Sequence, residues 1–334
     1  MKRVGYIYNK IYCIKNLKLA DERARINKTK RKEVKKHDEN REANLQKLHV
    51  LLKTGKYKTS EYQVFKVYKP KEREISKLPY YPDRIVHHAI MNIMEPIWTG
   101  TFTADTYSCI KGRGIHALSY KLRTDLANNI EETKYCLQMD IKKFYPSINH
   151  NIMLEIIEKK VKDKYFINFI SEIIRSADGL PIGNYLSQCL SNLYLTYFDH
   201  WIKQVVGVKY YYRYADDMVI LLDSKEELWE VFRLVQEYLK KNLKLEIKEN
   251  YQVFPVEKRG IDVVGYVHYH THTLMRKSIK KSMAKAVKAN KEKSIAAYYG
   301  WAKHADTKNL LRTLELDNYG NKKNNKRRSQ AKSY

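Results

Sequence analysis

The chain has 334 residues and is 43% hydrophobic, enough for roughly two or three compact subdomains with apolar cores. Its 64 Lys and Arg residues outnumber its 37 Asp and Glu residues, and the net charge of +27 favours a polyanionic partner. The sequence lacks both a stretch apolar enough to span a membrane and the apolar segment of a signal peptide, so nucleic acid is favoured over membrane.

The cysteines lie far apart and lack the paired spacing of a zinc site or a disulfide framework, which is typical of a protein in a reducing cytoplasm. They are Cys13, Cys109, Cys136 and Cys189. His268, His270 and His272 alternate and could share one strand face as metal ligands. A solvent-exposed hairpin is the favoured interpretation, because no acidic or thiol group accompanies them.

Residues 13–56 are predicted to be helical and strongly basic. The apolar positions that follow a helical period on one face are Val34, Leu45, Leu48 and Leu52. Gly55 ends the pattern. The basic residues of 28–36 cover another face, which either contacts phosphates or is simply solvated.

A strand is predicted at residues 62–67, and the charged segment at residues 69–75 is predicted to form a hairpin with it. Lys71 and Arg73 then project to the same side. Further along, Arg113 lies in a glycine-rich basic turn before a helix. This turn could meet a phosphate, although two glycines in a loop more often mark only a turn.

Asp140 ends a predicted strand at residues 135–140, on the polar face of an alternating pattern. A carboxylate at the end of a core strand needs a partner. A loop bounded by Gly and Pro follows at residues 179–188 and leads into a helix with an apolar stripe.

Asp216 and Asp217 form the sharpest polar break in the sequence, between a tyrosine-rich run and an aliphatic run at residues 212–222. The pattern predicts two strands joined by a tight turn, with both carboxylates at the tip. A simple polar turn is one interpretation, because Asp is a favoured turn residue. Two adjacent anions also repel each other unless a cation neutralises them, so a site for a hard divalent metal is the other interpretation.

After this acidic hairpin, Ser224 opens a predicted helix through a capping box, and strands are predicted at residues 243–247 and 263–267. Strand, helix, two strands, helix and strand is the split βαβ pattern of an antiparallel α+β sheet. The remaining chain is basic and mostly helical. Its last basic run, residues 322–328, is predicted to be disordered.

The order of the sequence blocks between residues 60 and 275 resembles that of reverse transcriptases, and this joint order is far more specific than any one block. The blocks are Lys71 with Arg73-Glu74-Ile75, Asp83-Arg84, Asp140 to Tyr145, the glycine-bounded loop, Tyr214-Ala215-Asp216-Asp217 and Gly265-Tyr266. Residues 297–305 resemble the thumb of prokaryotic members.

The resemblance implies an α+β right-hand polymerase, with helical fingers and thumb and an antiparallel split βαβ sheet in the palm. The expected segments are a basic N-terminal helical segment (1–60), fingers (61–132), palm (133–270), thumb (271–319) and a basic, disordered tail (320–334). Asp140, Asp216 and Asp217 would lie together in the palm. Asp140 and Asp216 would hold two Mg²⁺ ions, with Asp217 in a less direct role, because Mg²⁺ prefers hard oxygen ligands.

The resemblance also implies residues that bind the incoming nucleotide. Lys71 and Arg73 would clamp its triphosphate, unless they are only exposed hairpin charges. Tyr145 would block a ribose 2′-hydroxyl, unless it is a core tyrosine. The other residues implied near the nucleotide or the nucleic acid are Ile182, Gly183, Gln188, Arg113, Tyr214, Arg276 and Lys277. Lys248 is the candidate for protonating pyrophosphate.

The loop around Ile182 resembles that of reverse transcriptases from diversity-generating retroelements, because isoleucine replaces a glutamine of retroviral and group II intron enzymes. This class implies copying of a template-repeat RNA into cDNA with errors at template adenines, helped by a basic, oligomeric accessory variability protein. One alternative is a retron or defence-type reverse transcriptase that makes a fixed cDNA. Another is a non-catalytic, basic RNA-binding scaffold.

Overall fold

The computed structural model describes residues 3–68, 72–317 and 319. The chain divides into two compact units. The first comprises Met1–Ile110, Asp140–Val208 and Val231–Asn250, and the second comprises Lys111–Met139, Lys209–Glu230 and Tyr251–Tyr334. Each unit is thus assembled from segments that are far apart in the sequence.

Helices dominate the part of the chain that the structure describes. They are α1 (Tyr8–Tyr12), α2 (Ile14–Ala24), α3 (Lys32–Asp38), α4 (Arg41–Lys53), α5 (Ile85–Thr99), α6 (Ile115–Asn128), α7 (Phe144–Ser147), α8 (His150–Glu158), α9 (Lys164–Ile174), α10 (Tyr185–Tyr194), α11 (Thr196–Gln204), α12 (Lys225–Leu243), α13 (Val256–Arg259), α14 (Lys277–Lys288), α15 (Glu292–Ala302) and α16 (Lys308–Thr313). None of these helices has the length and apolar composition needed to cross a membrane.

The strands form small antiparallel ladders and complete a mixed α/β fold. They are β1 (Gln63–Val67), β2 (Arg73–Lys77), β3 (Tyr135–Asp140), β4 (Tyr210–Tyr214), β5 (Asp217–Leu222), β6 (Gln252–Pro255), β7 (Ile261–Val263), β8 (Tyr266–His268) and β9 (Thr273–Met275). The sheet orders are β1-β2, β4-β5-β3-β6 and β7-β8-β9. The predicted finger hairpin is therefore confirmed as β1-β2.

The predicted N-terminal helical segment is confirmed, with a break at residues 25–31 between α2 and α3. The four apolar positions are buried as predicted, each at most 1% exposed: Val34, Leu45, Leu48 and Leu52. Gly55 follows the end of α4 with φ +67, a conformation that favours glycine. The helical spacing of the apolar residues thus identified the buried face correctly.

Asp21 on α2 is a fully buried carboxylate that joins several N-terminal elements. It accepts hydrogen bonds from Arg41 Nε at 2.6 Å, Arg25 Nη2 at 2.9 Å and the Tyr80 hydroxyl at 2.5 Å. Burial alone would raise the pKa of Asp21, but the Tyr80 and Arg41 hydrogen bonds and the Arg25 charge hold it below its usual value. The ionised carboxylate is therefore part of the packing of this unit.

Asp21→Asn is expected to lower the free energy of unfolding at pH 7 by about 3 kcal/mol, because it breaks a buried ionic network and leaves two partly buried arginines without their counter-charge. Since the folded-state pKa is depressed, this stabilisation is present above the unfolded pKa and is lost as the pH falls below about 4. Chemical denaturation measures both effects. Asp38→Asn is the matched control. Asp38 is exposed, and its ion pair among the described residues is with Arg25 at 2.7 Å, so its loss should cost less than about 1 kcal/mol. Equal losses for both variants would refute the role of Asp21.

Contacts at the start of β4 show at which edge of its sheet the β4-β5 turn lies. Lys209 Nζ and the Tyr210 hydroxyl, at the start of β4, each bond Glu132 Oε2 at 2.5 Å, just before β3 begins. β4 and β5 are antiparallel, with Tyr214 paired to Asp217. The end of β5 therefore lies at the start of β3, and the β4-β5 turn lies at the edge of the sheet where β3 finishes.

One predicted strand was wrong and another is interrupted. Leu243 ends α12, and residues 244–247 form only an isolated bridge, Ile141 with Ile247, because Lys244 takes φ +54 and interrupts the extended backbone. The edge strand beside β3 is β6 instead. The strand predicted at residues 263–267 is divided: Val263 ends β7 and Tyr266 begins β8, and the turn between them holds Val264 and Gly265 at φ +44 and φ +88. Apolar alternation does not reveal a residue with positive φ.

The alternating histidines lie on the β8-β9 hairpin. His268 is buried and its Nδ1 lies 3.1 Å from Thr273 Oγ1, whereas His272 is exposed. The predicted hairpin is confirmed, but its exposure was wrong for His268, which packs inward from β8. The four cysteines are free.

Candidate active site

The acidic hairpin has its two carboxylates at the tip, as predicted. Because Tyr214 pairs with Asp217, the turn consists of Ala215 and Asp216. Ala215 takes φ +55, a left-handed conformation that costs a residue with a Cβ about 1–2 kcal/mol. Such strain persists only where the surroundings enforce it, and it is typical of functional turns.

Buried side chains hold this turn from within the second unit. Arg213 is fully buried, and its Nη1 donates to the Ala215 carbonyl at 3.0 Å. The Tyr212 hydroxyl donates to Asp125 Oδ2 at 2.5 Å, and Lys121 on the same helix pairs with Asp125 at 2.6 Å. The hairpin is therefore fastened to α6, and its backbone is supported directly beneath the acidic tip.

Asp140 is the last residue of β3, and its two carboxylate oxygens differ in their surroundings. Oδ2 pairs with the ammonium of Lys248, whose amide also donates to the Asp140 carbonyl at 2.8 Å. Oδ1 is buried and has no hydrogen-bond partner within the part of the chain that the structure describes. Hard divalent cations bind anionic oxygens of this kind, so Asp140 is suited to be a Mg²⁺ ligand.

Within the described residues, no group of three or more His, Cys, Asp or Glu side chains is arranged to hold a metal ion. Asp140 instead has the cation of Lys248 as its partner. Lys248 was predicted as a proton donor to pyrophosphate, and its contact with Asp140 could not be read from the sequence because 108 residues separate the two.

Tyr145 and the loop around Ile182 come together in the first unit. The Leu180 amide donates to the Tyr145 carbonyl at 2.8 Å. A Cβ on Gly179 would lie 2.4 Å from that carbonyl, so only glycine permits this approach. The Tyr145 hydroxyl accepts from Ser191 Oγ on α10 at 3.3 Å. Tyr145 is partly buried, and hydrogen bonds fix both its backbone and its hydroxyl.

The Ile182 loop is also attached to the finger hairpin. The Ser76 amide on β2 donates to the Ile182 carbonyl at 2.8 Å. Gly183 takes φ +118, and a Cβ there would lie 2.9 Å from Ile75 Cγ2. The backbone of half-buried Ile182 is therefore tied to the strand that begins with Arg73. Exposed Gln188 lies one turn into α10.

The remaining predicted residues have varied surroundings. Lys71 lies outside the described residues. Arg113 is half-buried just before α6, and Tyr214 ends β4. Arg276 Nε donates to Asp262 Oδ1 at 2.6 Å, so part of its guanidinium is already engaged. Lys277 is exposed and begins α14.

A cationic cavity of about 190 Å³ beside Gly183 was not predicted. Lys28, Arg31 and Arg84 line it. Burial and the charges of Arg84 and Arg31 lower the pKa of Lys28, and burial and Arg31 lower the pKa of Arg84. These cations repel one another, so an anion such as a phosphate would relieve the repulsion. The sequence showed only a basic run, which does not distinguish a cavity from a solvated face.

Comparison with known proteins identifies the relatives of this chain. Residues 66–268 match the family model described as reverse transcriptase (RNA-dependent DNA polymerase). Protein YkfC of Escherichia coli is 23% identical over 139 residues, 38% of this chain and 36% of that protein. Group II intron-encoded protein LtrA of Lactococcus lactis is 22% identical over 177 residues, 49% of this chain and 29% of that protein. The chain thus spans about a third of the length of these two relatives.

A plant maturase and a telomerase structure are also similar to this chain. Nuclear intron maturase 4 of Arabidopsis thaliana is 29% identical over 148 residues, which are 40% of this chain and 18% of that protein. Among solved structures, apo telomerase from Candida tropicalis has a TM-score of 0.49 and 13% identity, covering 64% of this chain and 48% of that chain.

Proposed function

The chain belongs to the reverse transcriptase family, whose model matches residues 66–268, and we propose that it polymerises DNA on an RNA template. Asp140 carries this proposal, because its buried Oδ1 lacks a hydrogen-bond partner among the described residues while Oδ2 pairs with the cation of Lys248. The turn that holds Asp216 and Asp217 supports it, because this turn lies at the edge of the sheet where β3 finishes. The three carboxylates would then converge on the reacting phosphates.

Asp140 and Asp216 would hold two Mg²⁺ ions, and Asp217 would support them. When bound, these ions lower the pKa of the primer 3′-hydroxyl and neutralise charge on the leaving pyrophosphate. Lys248 would stand beside the same phosphates, since its ammonium contacts Asp140. From there it is a candidate for donating a proton to pyrophosphate.

The substrates would be deoxynucleoside triphosphates, a template RNA and the growing cDNA. Arg73, with Lys71, would grip the triphosphate, and Tyr145 would exclude a ribose 2′-hydroxyl. The cationic cavity of Lys28, Arg31 and Arg84 offers a further place for a phosphate of the template or nucleotide. Arg113, Tyr214, Arg276 and Lys277 are proposed nucleic-acid contacts, and Gly183 and Gln188 are proposed neighbours of the nucleotide.

Primer extension tests the function. The purified chain, supplied with Mg²⁺, a primed RNA template and deoxynucleotides, should extend the primer. A chain that binds RNA but never extends a primer, even with its natural RNA and accessory protein, would be the RNA-binding scaffold instead. Extension that yields one fixed cDNA from a structured RNA would favour the retron-type alternative.

We further propose that the enzyme makes error-prone cDNA from a template-repeat RNA in a diversity-generating retroelement, in the cytoplasm and with an accessory variability protein. Ile182 supports this class, since an aliphatic side chain cannot donate the hydrogen bond that glutamine can supply near an incoming nucleotide. Its loop backbone is fixed to β2 through Ser76, which places residue 182 beside the finger hairpin.

Ile182→Gln is expected to reduce misincorporation at template adenines roughly fivefold to tenfold, because a hydrogen bond contributes about 1 kcal/mol to discrimination. Deep sequencing of cDNA made by both enzymes measures the error rate at each template base. Ile182→Leu is the matched control, since leucine keeps the volume but donates no hydrogen bond, and its error rate should equal that of the wild type. Unchanged adenine errors in the glutamine variant would reject this role of Ile182.

A further inference from the structure

A groove of about 660 Å³ in the first unit is rich in tyrosine. We call it the tyrosine groove. Its principal lining residues are Tyr6, Tyr8, Tyr12, Tyr165, Lys53 and Lys162. None of them belongs to the proposed polymerase site. The groove forms where the N-terminal segment meets the loop before α9, because Val4 pairs with Val161 in a short parallel bridge.

Two rings of the tyrosine groove are unusually open to solvent. Tyr6 is 83% exposed and Tyr165 is 76% exposed. Tyr8 and Tyr12 lie deeper, with ring centroids 5.3 Å apart, and the Tyr8 hydroxyl donates to the Leu52 carbonyl at 2.5 Å. The groove therefore has a fixed aromatic floor and two projecting rings that pack little against the protein.

The backbone at Tyr6 is strained. Its φ of +56 is a genuine outlier for a bulky residue. Hydrogen bonds on both sides enforce it: the Val4 amide donates to the Lys160 carbonyl at 2.7 Å, and the Ile7 amide donates to Asp163 at 2.6 Å. Burial of the ring does not offset the strain, because the ring faces solvent. Strain of this kind is consistent with a ring presented for a ligand.

The charge of the groove favours an anionic ligand. Asp163 is its acidic lining residue, and burial alone would raise its pKa. The amides of Tyr8, Phe166 and Ile7 nevertheless hold that pKa below its usual value by donating to the carboxylate. The negative charge is thus satisfied by the backbone. Lys53 and Lys162 are exposed, and neither forms an ion pair with another described residue.

We propose that the tyrosine groove binds single-stranded RNA, with bases stacked on Tyr6 and Tyr165 and phosphates near Lys53 and Lys162. Exposed aromatic rings beside unpaired cations are the elements of sequence-tolerant binding to single strands. A duplex hides its base faces, so the groove should prefer unpaired RNA. This binding requires neither nucleotide nor metal, and it goes beyond the polymerase function.

Fluorescence anisotropy with a labelled oligouridylate of about 12 nucleotides tests the proposal. The double variant Tyr6→Ala with Tyr165→Ala should bind at least about tenfold more weakly, because each lost stacking interaction weakens binding several-fold or more. Tyr6→Phe with Tyr165→Phe keeps both rings and should bind like the wild type. Tyr120→Ala is the matched control. Tyr120 is another exposed tyrosine, at 64%, but it lies on α6 and does not line the groove. Wild-type affinity in the double alanine variant would overturn the proposal.

Photocrosslinking locates the RNA independently of any binding by the polymerase site. RNA containing 4-thiouridine should crosslink to peptides that carry Tyr6 or Tyr165, and a double-stranded competitor should not remove these crosslinks. Absence of both crosslinks would overturn the proposal. So would a double alanine variant that still binds RNA like the wild type but no longer binds the accessory protein. If the wild type fails to extend primers but these results hold, the polymerase proposal fails and the groove proposal stands.

Discussion

Asp140→Asn is expected to slow template-directed incorporation by about a thousandfold or more, which is the scale of losing one preorganised charge at a reacting centre. The amide keeps the shape of the side chain but removes the negative charge from the buried Oδ1 position. It also leaves Lys248 without its anionic partner. Both changes weaken the attraction for divalent cations. Single-nucleotide incorporation on a primed RNA template measures the effect, and Asp216→Asn with Asp217→Asn should show a comparable loss.

The matched control is Asp223→Asn. Asp223 is exposed just after β5, at the opposite end of this strand from Asp217, so the control alters a carboxylate beside the same sheet. It should incorporate nucleotides at the wild-type rate. Circular dichroism and RNA binding should match the wild type for all variants. Incorporation by Asp140→Asn within tenfold of the wild type would exclude Asp140 from the metal site.

Tyr145→Ala is expected to reduce the preference for deoxynucleotides over ribonucleotides by about a hundredfold, because removing the ring opens space for the 2′-hydroxyl. Hydrogen bonds hold the residue in place, since Ser191 donates to its hydroxyl and Leu180 donates to its carbonyl. The ratio of kcat/KM for dATP and ATP on the same primed template measures the preference.

Tyr145→Phe separates the ring from its hydroxyl. Phenylalanine keeps the excluding ring but loses the hydrogen bond from Ser191, so its preference should stay within a few-fold of the wild type. If the alanine variant discriminates as well as the phenylalanine variant, Tyr145 is a core tyrosine and the selectivity lies elsewhere.

Elements that depend on neighbouring residues could be predicted from the sequence. The β4-β5 hairpin follows from strand alternation around one polar break. Asp140 at the end of β3 follows from the same period. Ser224 caps α12 as its pattern predicts, since its Oγ accepts from the Glu227 amide at 3.2 Å. Each pattern spans only a few residues, so the rest of the chain does not alter it.

The wrong strand at residues 243–247 shows the limit of that reasoning. Its apolar alternation resembles that of a true strand, yet β6 takes the edge beside β3. Pairing with β3 depends on how two distant segments fit together, and a single positive φ at Lys244 redirects the chain. The assignments of Lys71, Arg73 and the other nucleotide-binding residues stay predictions.

The sequence by itself determined the basic character and the elements that carry the candidate carboxylates, because local period and turn chemistry encode them. The order of its blocks carried the resemblance to reverse transcriptases. Only the tertiary structure decided which cation meets Asp140, which strand holds the Ile182 loop and which tyrosines line an open groove. Lys248 and Asp140 are 108 residues apart, and Ser76 and Ile182 come from different segments. Such contacts are selected by packing and charge after the chain has closed long loops, and no local pattern records them.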